Sequence, residues 1–111
     1  MKFFSAFILM ASFAMPVHAE SVGMASYYKM GGVTASGEAF RPMGLTAAHR
    51  KLSFGTKLKV TNLRNGRTVI VRVNDRGPFI GSRILDLSLG AANVIGLTQS
   101  GIAKISFVIV Q

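Results

Sequence analysis

The chain has 111 residues, a formal net charge of +9 and no cysteine. That length supports one domain with a single core, and the missing cysteine excludes a disulfide framework, a thiol nucleophile and thiolate metal sites. Acid–base chemistry near neutral pH is left to four carboxylates and two histidines.

Residues 1–19 carry Lys2, an apolar run from Phe3 to Met15, the breaker Pro16 and the small-residue pattern Val17-His18-Ala19. These are the features of a secretory signal peptide. The run is shorter than the roughly 20 residues that a membrane span needs. Cleavage after Ala19 is therefore expected, leaving a domain over residues 20–111 that is periplasmic or secreted and without a membrane anchor. Processing also removes His18, so that His49 is the remaining histidine.

Val22 to Tyr28 is predicted as a strand, followed by a polar, glycine-rich connection from Lys29 to Gly44. Lys57 to Thr61 alternates polar and apolar residues, Asn65-Gly66 suits a type I′ turn, and the β-branched run Thr68 to Val73 returns, which together predict a hairpin. Ile84 to Leu87 is a further strand, Ser88 a cap for a short helix through Ile95, and Gly96 its C-terminal stop. Ile102 to Val110 closes the chain as a strand. Short strands, tight turns and one small helix describe a β-barrel or a compact sandwich. In a small exported domain without disulfide staples, a closed, hydrogen-bonded sheet is the favoured source of stability.

Asp75 lies in Asn74-Asp75-Arg76-Gly77-Pro78-Phe79, where the β-branched run meets a Gly-Pro turn. It is either a site carboxylate at a strand end or a turn cap paired with Arg76. Glu38, after Ser36-Gly37, reads as a loop charge, and His49, beside Ala47-Ala48, as a functional or simply half-buried imidazole. Asp86, flanked by Leu85 and Leu87, reads as scaffold and needs backbone donors or Arg83 to be tolerated. Tyr27 and Tyr28 alternate across a strand, one packing inward and the other presenting its aromatic face outward. The basic excess fits an anionic polymer. The export signal, and basic residues not interleaved with a stacking platform, argue against nucleic acid.

Six segments in order resemble the rare lipoprotein A (RlpA-like) family: Ala25-Ser26-Tyr27-Tyr28, Thr34-Ala35-Ser36-Gly37-Glu38, Leu45-Thr46-Ala47-Ala48-His49, Val60-Thr61-Asn62-Leu63, Asn74 to Phe79, and Ile84-Leu85-Asp86-Leu87-Ser88. The resemblance runs from Gly23 to the C-terminus. It implies a mainly β fold, a small six-stranded double-psi β-barrel with one or two short helices, of the kind found in septal-ring lytic transglycosylases. It implies cleavage of peptidoglycan between N-acetylmuramic acid and N-acetylglucosamine to leave 1,6-anhydro ends, on peptide-stripped glycan strands in preference. Glu38, His49 and Asp75 would converge in one groove with Asp75 the leading acid/base and His49 orienting it or sharing its hydrogen bonds, while Tyr27, Tyr28 and Arg76 contact the glycan. Arg72, Arg76 and Arg83 would favour an ionised Asp75, in which case Glu38 supplies the proton. Neither cofactor nor metal is expected, and the partner is the glycan strand, bound by a monomer. A non-catalytic, expansin-like wall-binding module is the alternative.

The chain departs from the family pattern in three respects. No lipid-accepting cysteine follows the signal, the segment between Tyr28 and Thr34 is short, and Ser53 stands where proline often precedes Phe54-Gly55-Thr56. A second, glycan-binding domain is not expected in these 111 residues.

Overall fold

The computed structural model describes residues 19–110. Except for Ala19, the expected signal peptide lies outside the described residues. The strands are β1 (Ser21–Tyr28), β2 (Thr46–Ala48), β3 (Lys57–Asn62), β4 (Thr68–Asp75), β5 (Arg83–Ser88) and β6 (Ile102–Val110), with helix α1 (Leu89–Val94) between β5 and β6. They close into a barrel in the order β1-β5-β2-β4-β3-β6, so the barrel and not the sandwich is realised. The pairs β1/β5 and β2/β4 are parallel and the other four antiparallel. Closure pairs every strand on both sides, and a sheet without edges satisfies its own backbone.

Alternation along the strands builds the core. Leu58 and Val60 of β3, Val71 and Val73 of β4, Leu85 and Leu87 of β5 and Ile105 of β6 are all buried, while Lys57, Lys59 and Ile70 face out. β2 is three residues long and has no strand counterpart in the sequence pattern. Ala47 enters the core, and Ala48, on the opposite face of the strand, is buried as well.

The β3–β4 hairpin forms as expected, with Lys57 opposite Arg72 and Thr61 opposite Thr68. Its turn differs from the type I′ expectation. Gly66 has φ 75° but among the described residues no non-glycine residue has positive φ, and a I′ turn requires it at both central positions. The connection is longer, because Asn62 folds it: its carbonyl accepts from Gly66 N at 2.8 Å and its Oδ1 from Arg64 N at 3.0 Å. Asn62 and Asn65 also donate to the Ile95 carbonyl at 2.8 and 3.0 Å, tying the hairpin to the end of α1.

Ser88 caps α1 as expected, its Oγ accepting from Ala91 N at 3.3 Å. The same hydroxyl accepts from Thr46 N and donates to the Gly44 carbonyl, so one serine joins β2, α1 and the preceding loop. Gly90 is packed so closely that an added Cβ would lie 2.6 Å from the Met43 carbonyl oxygen.

Candidate active site

One outer face of the barrel carries the candidate side chains. β2 lies between β4 and β5, and Ala48 pairs with Asp75 on one side and Asp86 on the other; Asp86 in turn pairs with Ser26 of β1. Ser26, Asp86, Ala48 and Asp75 thus form a row across four strands. Strict alternation from Val69, Val71 and Val73 would put Asp75 inside. A register shift opposite Ala47/Ala48 breaks that parity, burying both Val73 and Asn74 and bringing Asp75 to the outer face. Such a bulge re-aims a side chain at the cost of one unpaired residue.

The Asp75 carboxylate is held by its neighbours. Oδ1 accepts from the amides of Ala35 and Arg76, each at 2.9 Å, and Oδ2 faces the Tyr28 hydroxyl at 3.5 Å. Tyr28 stacks on Phe40 with ring centroids 4.5 Å apart. Burial, followed by the charges of Asp75 and Asp86, pushes the Tyr28 hydroxyl well above its ordinary pKa, leaving it a hydrogen-bond donor. Tyr27 takes the inward position against the core.

The polar stretch that carries Glu38 is an ordered loop. Thr34 N donates to the Glu38 carbonyl at 2.8 Å, Phe40 N to that of Gly32 at 2.8 Å, and Ser36 N to that of Asn74 at 3.1 Å, which docks the loop on the end of β4. The Glu38 carboxylate makes a two-point pair with Arg72, at 2.8 and 3.1 Å. The Arg72 hydrogen bond holds Glu38 below the usual carboxylate range. Arg72 is therefore matched to Glu38 and not to Asp75.

His49 follows β2, and its backbone N–H donates to the Asp75 carbonyl at 3.2 Å. Its side chain does not bond the Asp75 carboxylate; Nδ1 accepts from Lys51 N and Leu52 N, each at 3.0 Å. An acceptor Nδ1 places the imidazole proton on Nε2. Burial first, then the charges of Arg76, Arg50 and Lys51, lower the His49 pKa and favour the neutral ring. Arg76 Nη1 donates to the carbonyls of His49 and Leu52 at 3.3 and 2.8 Å, and its guanidinium lies 4.0 Å over the Phe54 ring. It fastens the loop behind His49.

Asp86, read from the sequence as scaffold, is half-buried in the same row. Its Oδ1 accepts from Ser26 Oγ at 3.1 Å, and Glu38–Arg72 is the one ion pair among the described residues, so Arg83, one of the partners considered for it, makes no ion pair with Asp86. Burial raises the Asp86 pKa, and nearby Asp75 adds to the rise against Ser26 and Arg83. Alternation held the signal: buried Leu85 and Leu87 put Asp86 on the outer face.

Beside the row, a cleft of about 220 Å³ is lined by Glu38, Ala39, Arg41, Leu45, Thr46, Arg72 and Asn74, among others.

A family model described as "Lytic transglycolase" matches residues 20–107. A protein of Synechocystis sp. named "Probable endolytic peptidoglycan transglycosylase RlpA" is 56% identical over 92 residues, covering 80% of this chain and 29% of that protein. The "Endolytic peptidoglycan transglycosylase RlpA" of Pseudomonas aeruginosa UCBPP-PA14 is 48% identical over 87 residues, covering 76% and 26%. The chain thus spans between a quarter and a third of the length of these relatives. Among solved structures, the Streptomyces papain inhibitor superposes with TM-score 0.72 at 23% identity, covering 86% of this chain and 98% of that one, a likeness of fold. Apo expansin of Clavibacter michiganensis superposes with TM-score 0.70 at 28% identity, covering 84% and 51%. A closed six-stranded barrel with these motifs in these places, matched along almost all of its described length, belongs to the RlpA-like family of double-psi β-barrel domains.

Proposed function

We propose that this protein is an exported, monomeric endolytic murein transglycosylase, processed after Ala19 and acting without a membrane anchor in the periplasm or outside the cell. It cleaves the bond between N-acetylmuramic acid and N-acetylglucosamine, on peptide-stripped strands in preference. The observation that carries the reading is Asp75, re-aimed by the bulge onto the outer row beside Tyr28 and His49. In the reaction the glycosidic oxygen gains a proton as its bond to C1 breaks. The C6 hydroxyl of the same sugar closes on C1 and gives up its proton, so a 1,6-anhydro end and a free hydroxyl form without water. Asp75 is the leading proton-handling group, and the neutral His49 ring offers its Nε2–H to the substrate. Glu38, kept ionised by Arg72, lines the adjoining cleft. Tyr28 presents its aromatic face to the sugar, whereas Tyr27 and Arg76 support the site from behind.

A second reading is favoured by the likeness to expansin: a module that binds wall glycan without cutting it. Mass analysis of purified strands incubated with the protein, stripped and peptide-bearing in parallel, separates the two. Anhydro ends, more abundant from stripped strands, support the enzyme; retention on the strands without new ends supports the module.

A further inference from the structure

We infer that Asp86 is a second catalytic carboxyl of this site, the group that protonates the glycosidic oxygen, while Asp75 receives the proton of the C6 hydroxyl. The inference rests on the transglycosylase reading and assigns its two proton transfers to two residues.

The geometry is that of two acids flanking a small residue. Asp75 and Asp86 are the pairing partners of Ala48 on its two sides, which separates their Cα atoms by two strand spacings, roughly 10 Å. Ala48 contributes only a buried methyl group between them, and Tyr28, whose hydroxyl faces Asp75, also feels the charge of Asp86. The surroundings of the two acids differ in kind. Asp75 Oδ1 already accepts two backbone N–H bonds, with the Tyr28 hydroxyl facing Oδ2; it is arranged as an acceptor. The Asp86 carboxyl is half-buried, has Ser26 Oγ as its one side-chain partner and lacks an ion pair. Two carboxyls placed in environments that divide acid from base is a recurrent arrangement in glycosidic cleavage. Burial favours the protonated form of Asp86. Glu38 is a poor donor by the same criteria, since Arg72 holds it ionised.

Each cycle balances. The Asp86 proton goes to the departing oxygen as the C1–O bond breaks, the C6 oxygen bonds C1, and its proton goes to Asp75. Exchange with solvent returns both carboxyls to their starting states, and no oxidant, reductant or water is consumed.

The groups facing Asp86 are Ser26 and Tyr28 of β1, Asp75 of β4, and Arg83 on its own strand, whose carbonyl is held by Arg50, while β2 sets the uncharged Ala48 beside it. Of these, Ser26 is the one that donates to the Asp86 carboxylate. Removing that donor should raise the pKa of Asp86 and carry the alkaline limb of the rate profile to higher pH.

The test measures the pH dependence of kcat on purified glycan for the wild-type protein, Asp86→Asn and Ser26→Ala, with sacculus binding measured alongside. Asp86→Asn is expected to lower kcat about 10²-fold or more, the usual share of a general acid, with binding retained, and Ser26→Ala to move the alkaline limb upward. Asp86→Asn cleaving within about tenfold of wild type overturns the assignment. So does an alkaline limb that stays in place in Ser26→Ala, even where Asp86→Asn is inactive, because a merely structural Asp86 would not move it. Should Asp86→Asn fail to fold, the Ser26→Ala limb alone decides. A wild-type protein that yields no anhydro ends overturns the transglycosylase reading itself, an outcome distinct from either of these.

Discussion

Asp75→Asn keeps one carbonyl oxygen in the place of Oδ1, so the Ala35 and Arg76 amides retain their acceptor. The melting temperature should stay within a few degrees of wild type, while release of anhydro ends falls about 10²-fold or more, the contribution of a proton-transferring group. Glu38→Gln breaks the pair with Arg72, but at an exposed position, and only a partial loss of activity is expected. His49 gives a pH signature. Its folded pKa lies below the ordinary 6.5, so between the two values the unfolded chain binds more protons. The contribution of His49 to stability is complete above about pH 6.5 and is lost as pH falls toward the folded pKa. Asp86 acts with the opposite sign at lower pH, its raised pKa removing stability as pH rises through the carboxylate range. Urea unfolding from pH 5 to 8 for wild type and His49→Gln isolates the histidine. The variant should lose the fall in stability below about pH 6.5, and parallel curves would rule out a titrating, partly buried His49.

The elements that could be read from the sequence are those whose alternation is uninterrupted. Lys57 to Thr61 and Thr68 to Val73 gave a hairpin with the observed pairing, and Ser88 and Gly96 bracketed α1. β2 was not legible as a strand, because three residues are too few to show a period and two of them are alanine, a poor strand former; their place is set by neighbours on both sides. The bulge at Asn74 was equally silent, since parity in the sequence continues through it. Asp75, Glu38 and His49 were singled out by motif and scarcity, yet their connections, Glu38 to Arg72 and His49 Nδ1 to its own loop, depend on chain segments brought together by closure. Asp86 was assigned to the scaffold because its apolar flanks were read as surroundings, when they are the opposite face of the strand. At the level of α1 the structure makes two sharp demands. Alanine normally stabilises a helix relative to glycine by about 1 kcal/mol, but in Gly90→Ala the new Cβ meets the Met43 backbone, and a net loss of about 1–3 kcal/mol is expected. Ser88→Ala strips the partners of Thr46 N, Ala91 N and the Gly44 carbonyl together, at a cost of about 1–3 kcal/mol. Chemical denaturation measures both, and a stabilised Gly90→Ala would mean that the loop at Met43 yields freely.

At the scale of the whole molecule, a closed barrel stabilises this small domain without disulfides. On the proposed reading, the basic excess of the chain, +9 over its full length, gives long-range attraction to the carboxylates of peptidoglycan, screened over about 8 Å at physiological ionic strength. Retention on isolated sacculi should therefore fall steadily along a salt series; retention unchanged at high salt would assign the binding to stacking on Tyr28 and to hydrogen bonds. Binding alone does not distinguish a wall module from an enzyme, whereas the route taken by the C6 hydroxyl does. The most direct measurement is mass analysis of peptide-stripped glycan digested in isotopically heavy water by the wild-type protein and by Asp75→Asn. New ends from the wild type are expected to be 1,6-anhydro sugars, one water lighter than hydrolysis products and free of heavy oxygen, with Asp75→Asn bound to the strands but inactive. Ends that carry heavy oxygen, or strands bound by the wild type and left intact, would contradict a lytic transglycosylase.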